Sequence, residues 1–435
     1  LDAAAYPARW ALLDRLAGAF IIDAFRELGV FTVAGESHRA ADLLAGGQFV
    51  GAYEHLVVRW LDHLVADGLL ARDADRYVAS APLPASSVAD LLTFARLELA
   101  GVEPLLEYVV RCGQHLAAVV SGKDTALSTL FPDGSFETVD FIYSRWAVPQ
   151  YFNGIVRAAA CAAATSHSGG TPRVLEIGAG SGGTTASVLP ALPAGTSYTF
   201  TDVSDYFLVR AAERFGDHSF VRYSQLDIEQ PPDHQGYPLG GFDVVIAANV
   251  LHATRDLDIT LAHVRSLLVP GGVLIAFEGT CHPRWFDITT GLIEGWQRFE
   301  DSWRTDVPLI DPDTWKAALD RADFSVVEAL PADGVATAAL LQHVILARAS
   351  GDEAPASVRR GEESSAVPTA VAVPVWAMPT DVREQLAEAM DDERLGIIVQ
   401  AVREAIAHVL RIHDPNRLQR DQPLLDLGFD SLMAV

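Results

Sequence analysis

The sequence predicts a doubly wound α/β domain: a mostly parallel sheet of seven strands, finished by a terminal hairpin and preceded by a helical N-terminal region. Three observations carry this expectation. Short apolar runs alternate with helical stretches between residues 173 and 277, the pattern of strands joined by crossover helices in a parallel sheet. The first of those runs passes directly into a glycine-rich turn at 178–183. Two further strand-like runs, 324–330 and 340–349, are joined by an Ala/Gly loop and read as an antiparallel hairpin at the end of the sheet.

In chain order, residues 1–165 read as a helical lid. A helix over 11–28 stops at Gly29, and an amphipathic helix over 55–70 is followed by a short Arg-Asp-Ala-Asp-Arg turn and Tyr77-Val78-Ala79. A helix followed by a small hairpin resembles a winged helix. The segment lacks a basic stripe, so it is read as a packing or lid element and not a DNA reader. The core is expected over 166–349. Its strands are 173–177, 198–201, 220–223, 243–250 and 273–277, the last after a Pro270-Gly271-Gly272 turn, and its helices are 184–192, 206–215 and 259–268. Residues 350–380, with Pro355, Pro368, Pro374 and Pro379 among Ala, Ser and Glu, have the composition of an extended linker. A helical pattern returns over 381–435, clearest at 395–410.

Composition excludes several functions. The 435 residues suffice for two to four domains at roughly 100–200 residues each. Half are apolar, and 57 acidic against 32 basic residues give a formal charge of -25, which repels nucleic acid and anionic membrane. Cys112, Cys161 and Cys281 form no CxxC, so neither a disulfide framework nor a cysteine metal site is expected, and a reducing, cytoplasmic setting suits them. No run approaches the ~18–20 apolar residues of a membrane helix. The chain begins at Leu1 and stops at Leu432-Met433-Ala434-Val435 inside a motif, and reads as a piece of a longer polypeptide.

The most informative segment is Val174-Leu175-Glu176-Ile177-Gly178-Ala179-Gly180-Ser181-Gly182-Gly183-Thr184. Glycines there let the backbone approach a ligand, and Gly178, Gly180 and Gly183 formally satisfy GxGxxG, so a pyrophosphate and a sulfonium nucleoside compete as ligands. Flanking acids decide. Asp202 ends the second strand, where ribose hydroxyls bind. Asp227 follows the third, placed to accept from an adenine amino group. Glu176 would repel a pyrophosphate but suits a cationic ligand. With Phe242-Asp243-Val244-Val245 and Pro270-Gly271-Gly272 in order, residues 173–349 resemble a class I methyltransferase using S-adenosylmethionine. The resemblance implies donor contacts from Glu176, Gly178, Gly180, Gly182, Gly183, Asp202, Asp227, Ile228 and Asn249.

Ala248-Asn249-Val250-Leu251-His252-Ala253-Thr254-Arg255-Asp256-Leu257, Phe277-Glu278-Gly279-Thr280, Leu226-Asp227-Ile228-Glu229-Gln230 and Gly291-Leu292-Ile293-Glu294-Gly295-Trp296 are similar to methyltransferase domains of modular polyketide synthases, multifunctional enzymes of secondary-metabolite biosynthesis. That resemblance implies catalysis by His252 and Glu278. The residues agree: if the fourth and fifth strands are neighbours, both side chains lie at the carboxyl edge of the sheet, and a carboxylate can orient an imidazole as a general base. His55, His63, His263 and His343 lack that placement and read as surface or core residues. Tyr143, Asn153 and Trp296, in segments that cover the site in the family, are candidate substrate contacts.

Leu427-Gly428-Phe429-Asp430-Ser431-Leu432, after the 395–410 helix, resembles the phosphopantetheine site of an acyl carrier protein, with Ser431 as attachment point and the carrier truncated. The expected partners are thus a carrier-bound polyketide intermediate and the neighbouring synthase domains, with no nucleic acid, membrane or metal. A linker leading straight to a carrier, and an unfamiliar Ile142-Tyr143-Ser144-Arg145-Trp146-Ala147 stretch, favour O-methylation of a β-hydroxyl or enol. C-methylation at the α-carbon of a β-ketoacyl chain is the alternative, and a non-catalytic scaffold the second.

Overall fold

The computed structural model describes residues 1–130, 132, 137–166, 170–293 and 295–351. The expected linker, the 395–410 helix and Ser431 lie outside the described residues.

The N-terminal region runs α1 (Tyr6–Glu27), β1 (Ser37–His38), α2 (Ala40–Ala45), α3 (Glu54–Ala66), β2 (Ala71–Asp73), β3 (Arg76–Val78), α4 (Val88–Glu98), α5 (Glu103–Val120), α6 (Ala126–Leu130), α7 (Glu137–Asp140) and, after a π-helical turn at Phe141–Arg145, α8 (Ala147–Thr165). The strands β1, β3 and β2 form a small antiparallel sheet beside α3. Helix α1 buries Leu13, Leu16, Phe20 and Ala24, a stripe at helical spacing, against α5. Gly113 of α5 permits that approach: a Cβ there would sit 2.3 Å from the Phe20 ring.

The second region runs β4 (Arg173–Ile177), α9 (Gly183–Val188), β5 (Ser197–Asp202), α10 (Asp205–Arg214), β6 (Val221–Gln225), β7 (Phe242–Ala248), α11 (Leu257–Leu267), β8 (Leu268–Gly279), α12 (Pro312–Arg321), β9 (Phe324–Leu330) and β10 (Gln342–Ala349). These seven strands form one sheet in the order β6-β5-β4-β7-β8-β10-β9. The first five are parallel, and β10 runs antiparallel to both β8 and β9. β7 is buried along nearly its whole length, as expected for a strand covered on both faces. β8 begins five residues earlier than its apolar run suggests. Leu268 already pairs with Phe242, and the register then shifts past the Pro270-Gly271-Gly272 segment.

Two packing facts differ from a simple lid-then-core division. Helix α8, inside the segment read as lid, lies on β7, β8 and β10, with Phe152 stacked on Phe277 at 5.1 Å. The segment after β8 leaves the sheet and packs against α1, where Trp285 stacks on Trp10 at 5.9 Å. The cover over the sheet is therefore built from both ends of the sequence. Among the described residues, no helix is long and apolar enough to cross a membrane.

Candidate active site

The carboxyl edges of β4, β5, β7 and β8 converge where strand order reverses between β4 and β7, the place where open α/β sheets bind ligands. The glycine loop leaves β4 there. Gly178, Gly180 and Gly182 all have positive φ, at 57°, 53° and 75°. Gly182 is needed twice over, since a Cβ would also lie 2.6 Å from the Phe215 ring. At Gly183 a Cβ would lie 2.9 Å from the Tyr143 carbonyl oxygen, so the loop is roofed by the π-helical turn.

The acidic residues divide. Asp202 is buried, and its carboxylate accepts from Gly180 N and Ser204 N, both at 2.9 Å. It therefore fixes the loop's shape. Asp227 is half-buried and accepts from Glu229 N at 2.9 Å. Burial pushes its carboxyl above the usual range, and the Glu229 charge adds to this. Glu176 points inward. Its Oε2 accepts from Thr185 Oγ1 at 2.5 Å and Tyr198 OH at 2.6 Å. Burial drives its pKa up to about 7 against the pull of those hydroxyls. Asn249, at φ 56°, is a non-glycine residue in left-handed backbone, held by its N–H to Phe277 O at 2.6 Å. The Ile228 side chain is buried, and its carbonyl accepts from His263 at 2.8 Å.

These residues fit S-adenosylmethionine. Two buried polar atoms beside the loop, Ser144 Oγ and Glu176 Oε1, have no partner among the described residues. The acids Glu176, Asp202 and Asp227 favour a ligand bearing cationic sulfur and ammonium groups. Among the described residues no group of His, Cys, Asp or Glu could hold a metal.

On the neighbouring strands, His252 and Glu278 meet as their strand positions require. His252 Nδ1 lies 2.5 Å from Glu278 Oε2. Glu278 is fully buried, and its other oxygen accepts from Val250 N at 3.1 Å and Leu251 N at 2.8 Å. Such a carboxylate accepts an Nδ1 hydrogen, which leaves the imidazole Nε2 lone pair for other work. Trp296 packs its ring 5.1 Å from His252 and buries an indole N–H with no acceptor among the described residues.

The other two substrate candidates are placed differently. Asn153 is buried, accepting from Thr184 Oγ1 at 2.7 Å and donating to the Tyr143 carbonyl at 3.4 Å. It straps α8 to α9 and the π turn, and its side chain is already committed within the chain. Tyr143 contributes its backbone to the roof while its side chain is exposed. His343 pairs with Thr280, and His55 is exposed, as read from sequence. His63 instead faces buried Asp287 at 3.8 Å.

Sequence reading missed Arg304 and Asp301. Arg304, buried and paired with Asp301, donates to the His252 carbonyl at 2.7 Å and the Arg255 carbonyl at 3.2 Å. Asp301 also accepts from Leu257 N at 2.9 Å. Burial pushes the Asp301 carboxyl up, but Arg304 and the backbone donors outweigh it and hold it low. An Asp three residues before an Arg is the only local signal.

A fold and a site of this kind define a class I, S-adenosylmethionine-dependent methyltransferase. A family model for a methyltransferase domain matches residues 175–274, and one for a phosphopantetheine attachment site matches residues 400–435. Polyketide synthase ThaQ of Burkholderia thailandensis is 35% identical over 317 residues, covering 66% of this chain and 15% of that protein. The chain thus spans about a seventh of that relative. The crystal structure of the CurJ carbon methyltransferase superimposes with a TM-score of 0.75 at 34% identity, covering 80% of this chain and 94% of that one. The DszA carbon methyltransferase gives 0.74 at 30%, covering 81% and 94%. The chain belongs to the methyltransferase domains of polyketide synthases, here followed by a carrier segment with a phosphopantetheine attachment site. Its donor is S-adenosylmethionine and the carrier's prosthetic group is 4′-phosphopantetheine.

Proposed function

We propose that this domain methylates the α-carbon of a β-ketoacyl chain carried on phosphopantetheine. The observation that carries the reading is the likeness to two carbon methyltransferases over 94% of each of those chains. It outweighs the expectation of oxygen methylation, which rested on the adjacency of a carrier and on one unfamiliar stretch of sequence.

The glycine loop, Asp202, Asp227, Ile228 and Asn249 would hold the donor, which when bound supplies an electrophilic methyl group on positively charged sulfur. Glu176 acts from below the loop by bracing Thr185 and Tyr198. His252 Nε2 takes the proton from the α-carbon, and the C–H electron pair becomes the carbon nucleophile of an enolate. Glu278 keeps the Nδ1 hydrogen in place and stabilises the imidazolium that forms. Arg304 fixes the His252 backbone. Ser431 is the attachment point of the arm in the carrier segment.

The test is mass spectrometry with carbon NMR on a matched pair, β-ketoacyl and β-hydroxyacyl carrier thioesters, each incubated with the domain and labelled donor. The reading requires label on the α-carbon of the β-keto compound. A labelled methyl ether or enol ether overturns it.

A further inference from the structure

The chain that leaves β8 returns over the carboxyl edge of the sheet as a tight turn. Arg298 N donates to Gly295 O at 3.1 Å, so Trp296 and Gln297 are the central residues of the turn. Trp296 lays its ring 5.1 Å from His252 and 6.4 Å from His282, whose Nε2 lies 2.7 Å from Oδ1 of the fully buried Asp287. Two residues on, Arg298 reaches the donor side. Burial raises the Asp227 carboxyl, and the Arg298 charge is among the groups that pull it back. One short turn therefore spans from the proposed base to the acid placed for the donor's adenine.

The turn and the segment after it are held very unequally. Downstream the chain is pinned. Glu300 N donates to Arg255 O at 2.8 Å, Asp301 accepts from Leu257 N at 2.9 Å and Trp303 N at 3.0 Å, and the buried Arg304 donates to the His252 carbonyl at 2.7 Å. In the turn itself, Trp296 Nε1, Gln297 Oε1 and Gln297 Nε2 are all buried with no partner among the described residues. An indole N–H and a carboxamide carry these groups at every working pH, so titration cannot relieve them. Each has lost its water and gained no bond, which penalises the closed position. Outward movement is open to the turn, since Arg298 and Glu300 are exposed and Gly295, at φ 96°, has the backbone freedom of a residue without Cβ. Opening gives all three atoms to water while the bonds at 300–304 stay in place.

We infer that Gly295–Arg298 is a gate over His252, which opens to admit the carrier-borne acyl arm and then closes Trp296 against the imidazole. The inference rests on His252 being the base, as proposed above, and holds whether carbon or oxygen receives the methyl group. Closure dries the surroundings of the base, and the three unpaired atoms keep the closed state from becoming permanent. A locally unstable turn joined to a fixed anchor is how a lid opens without unfolding the domain. Removing unpaired atoms without changing the volume should therefore hold the gate shut. Gln297→Met does this, with a side chain of like length and no group that demands a hydrogen bond.

The test is amide hydrogen exchange on the full chain, read at single residues. Trp296 N and Arg298 N are bonded in the closed turn, each at 3.1 Å, to Ile293 O and Gly295 O, so their exchange reports opening. Glu300 N and Trp303 N report the anchor. The inference requires the turn amides to exchange at least about tenfold faster than the anchor amides. Gln297→Met should slow the turn amides about tenfold, melt no lower than wild type, bind S-adenosylmethionine normally, and lose a similar factor in kcat/KM for a β-ketoacyl carrier thioester. Turn amides as protected as the anchor in wild type overturn it, as does a Gln297→Met protein with unslowed exchange or normal kcat/KM. A His252→Ala protein with normal turnover removes the base, and the inference falls with that assignment. Label on oxygen in the matched-pair experiment overturns carbon methylation alone. Should Gln297→Met fail to fold, the wild-type turn amides with and without an unreactive β-ketoamide of pantetheine decide: slowed exchange supports closure over the arm, and unchanged exchange overturns it.

Discussion

Two histidine–carboxylate pairs flank Trp296, and they are anchored in opposite ways. Glu278 belongs to a sheet strand and takes its remaining hydrogen bonds from the backbone of the segment that carries His252, at Val250 and Leu251. That pair is a closed unit of the sheet edge. Asp287 lies in the segment after β8, and its other neighbours, Arg59 and His63, come from α3 more than two hundred residues away. The N-terminal helices therefore brace that pair from outside its own segment. The contrast separates a carboxylate anchored at the sheet edge from one braced by the N-terminal cover, and each can be broken without the other.

The largest effect is expected at the sheet-anchored pair. His252→Ala should lower single-turnover methyl transfer by about 10²–10⁴ while calorimetric binding of the donor is unchanged, since the glycine loop and both aspartates are intact. A folded variant with near-normal turnover would remove His252 from the chemistry. Next comes its hidden support. Arg304→Met strips Asp301 of its buried partner and should cost about 3–5 kcal/mol, read by denaturant unfolding. The fraction that stays folded should transfer methyl slowly, because the His252 carbonyl has lost its donor. A smaller effect is expected at the loop. Asp202→Ala should weaken donor binding by roughly 1.5–3 kcal/mol, through lost hydrogen bonds to a charged group. Unchanged affinity would refute its role.

The smallest effect is a dependence on pH. Glu176 titrates near 7 when folded and about 4.5 as a free side chain, so the folded protein holds this proton more tightly than the unfolded chain. Its contribution to stability is full below about pH 4.5 and is lost as pH rises through about 7. Glu176→Gln, which still accepts from Thr185 and Tyr198, should flatten the fall in melting temperature across that window. An identical pH profile in the variant would show that another group sets it.

The sheet and the first pair were legible because their signals are local. A strand followed by a glycine turn identifies the loop, and an acid or histidine just past an apolar run lies at the carboxyl edge in any parallel sheet. The cover was not legible in this way. Nothing near Asp287 announces that Arg59 and His63 will pack around it, and nothing near Arg304 points to the carbonyl of His252. Asn153 shows a related limit. A polar residue among aromatics can face a ligand or brace a neighbouring helix, and only the position of Thr184 decides. Glu176 reads in the sequence as an acid lining a cationic ligand, and in the structure its Oε2 turns under the loop toward Tyr198.

The stacking of Trp10 on Trp285 and the bond from the Trp146 indole to Tyr6 OH, at 2.9 Å, bear on how such domains are moved between assembly lines. A graft beginning at the glycine loop would leave Trp285 and the sheet face beneath α8, Phe277 included, facing water and would strand Asp287 without Arg59. The transplantable unit therefore starts ahead of Tyr6, and chimeric synthases joined inside the first 165 residues should aggregate or lose turnover even with every residue of the sheet preserved.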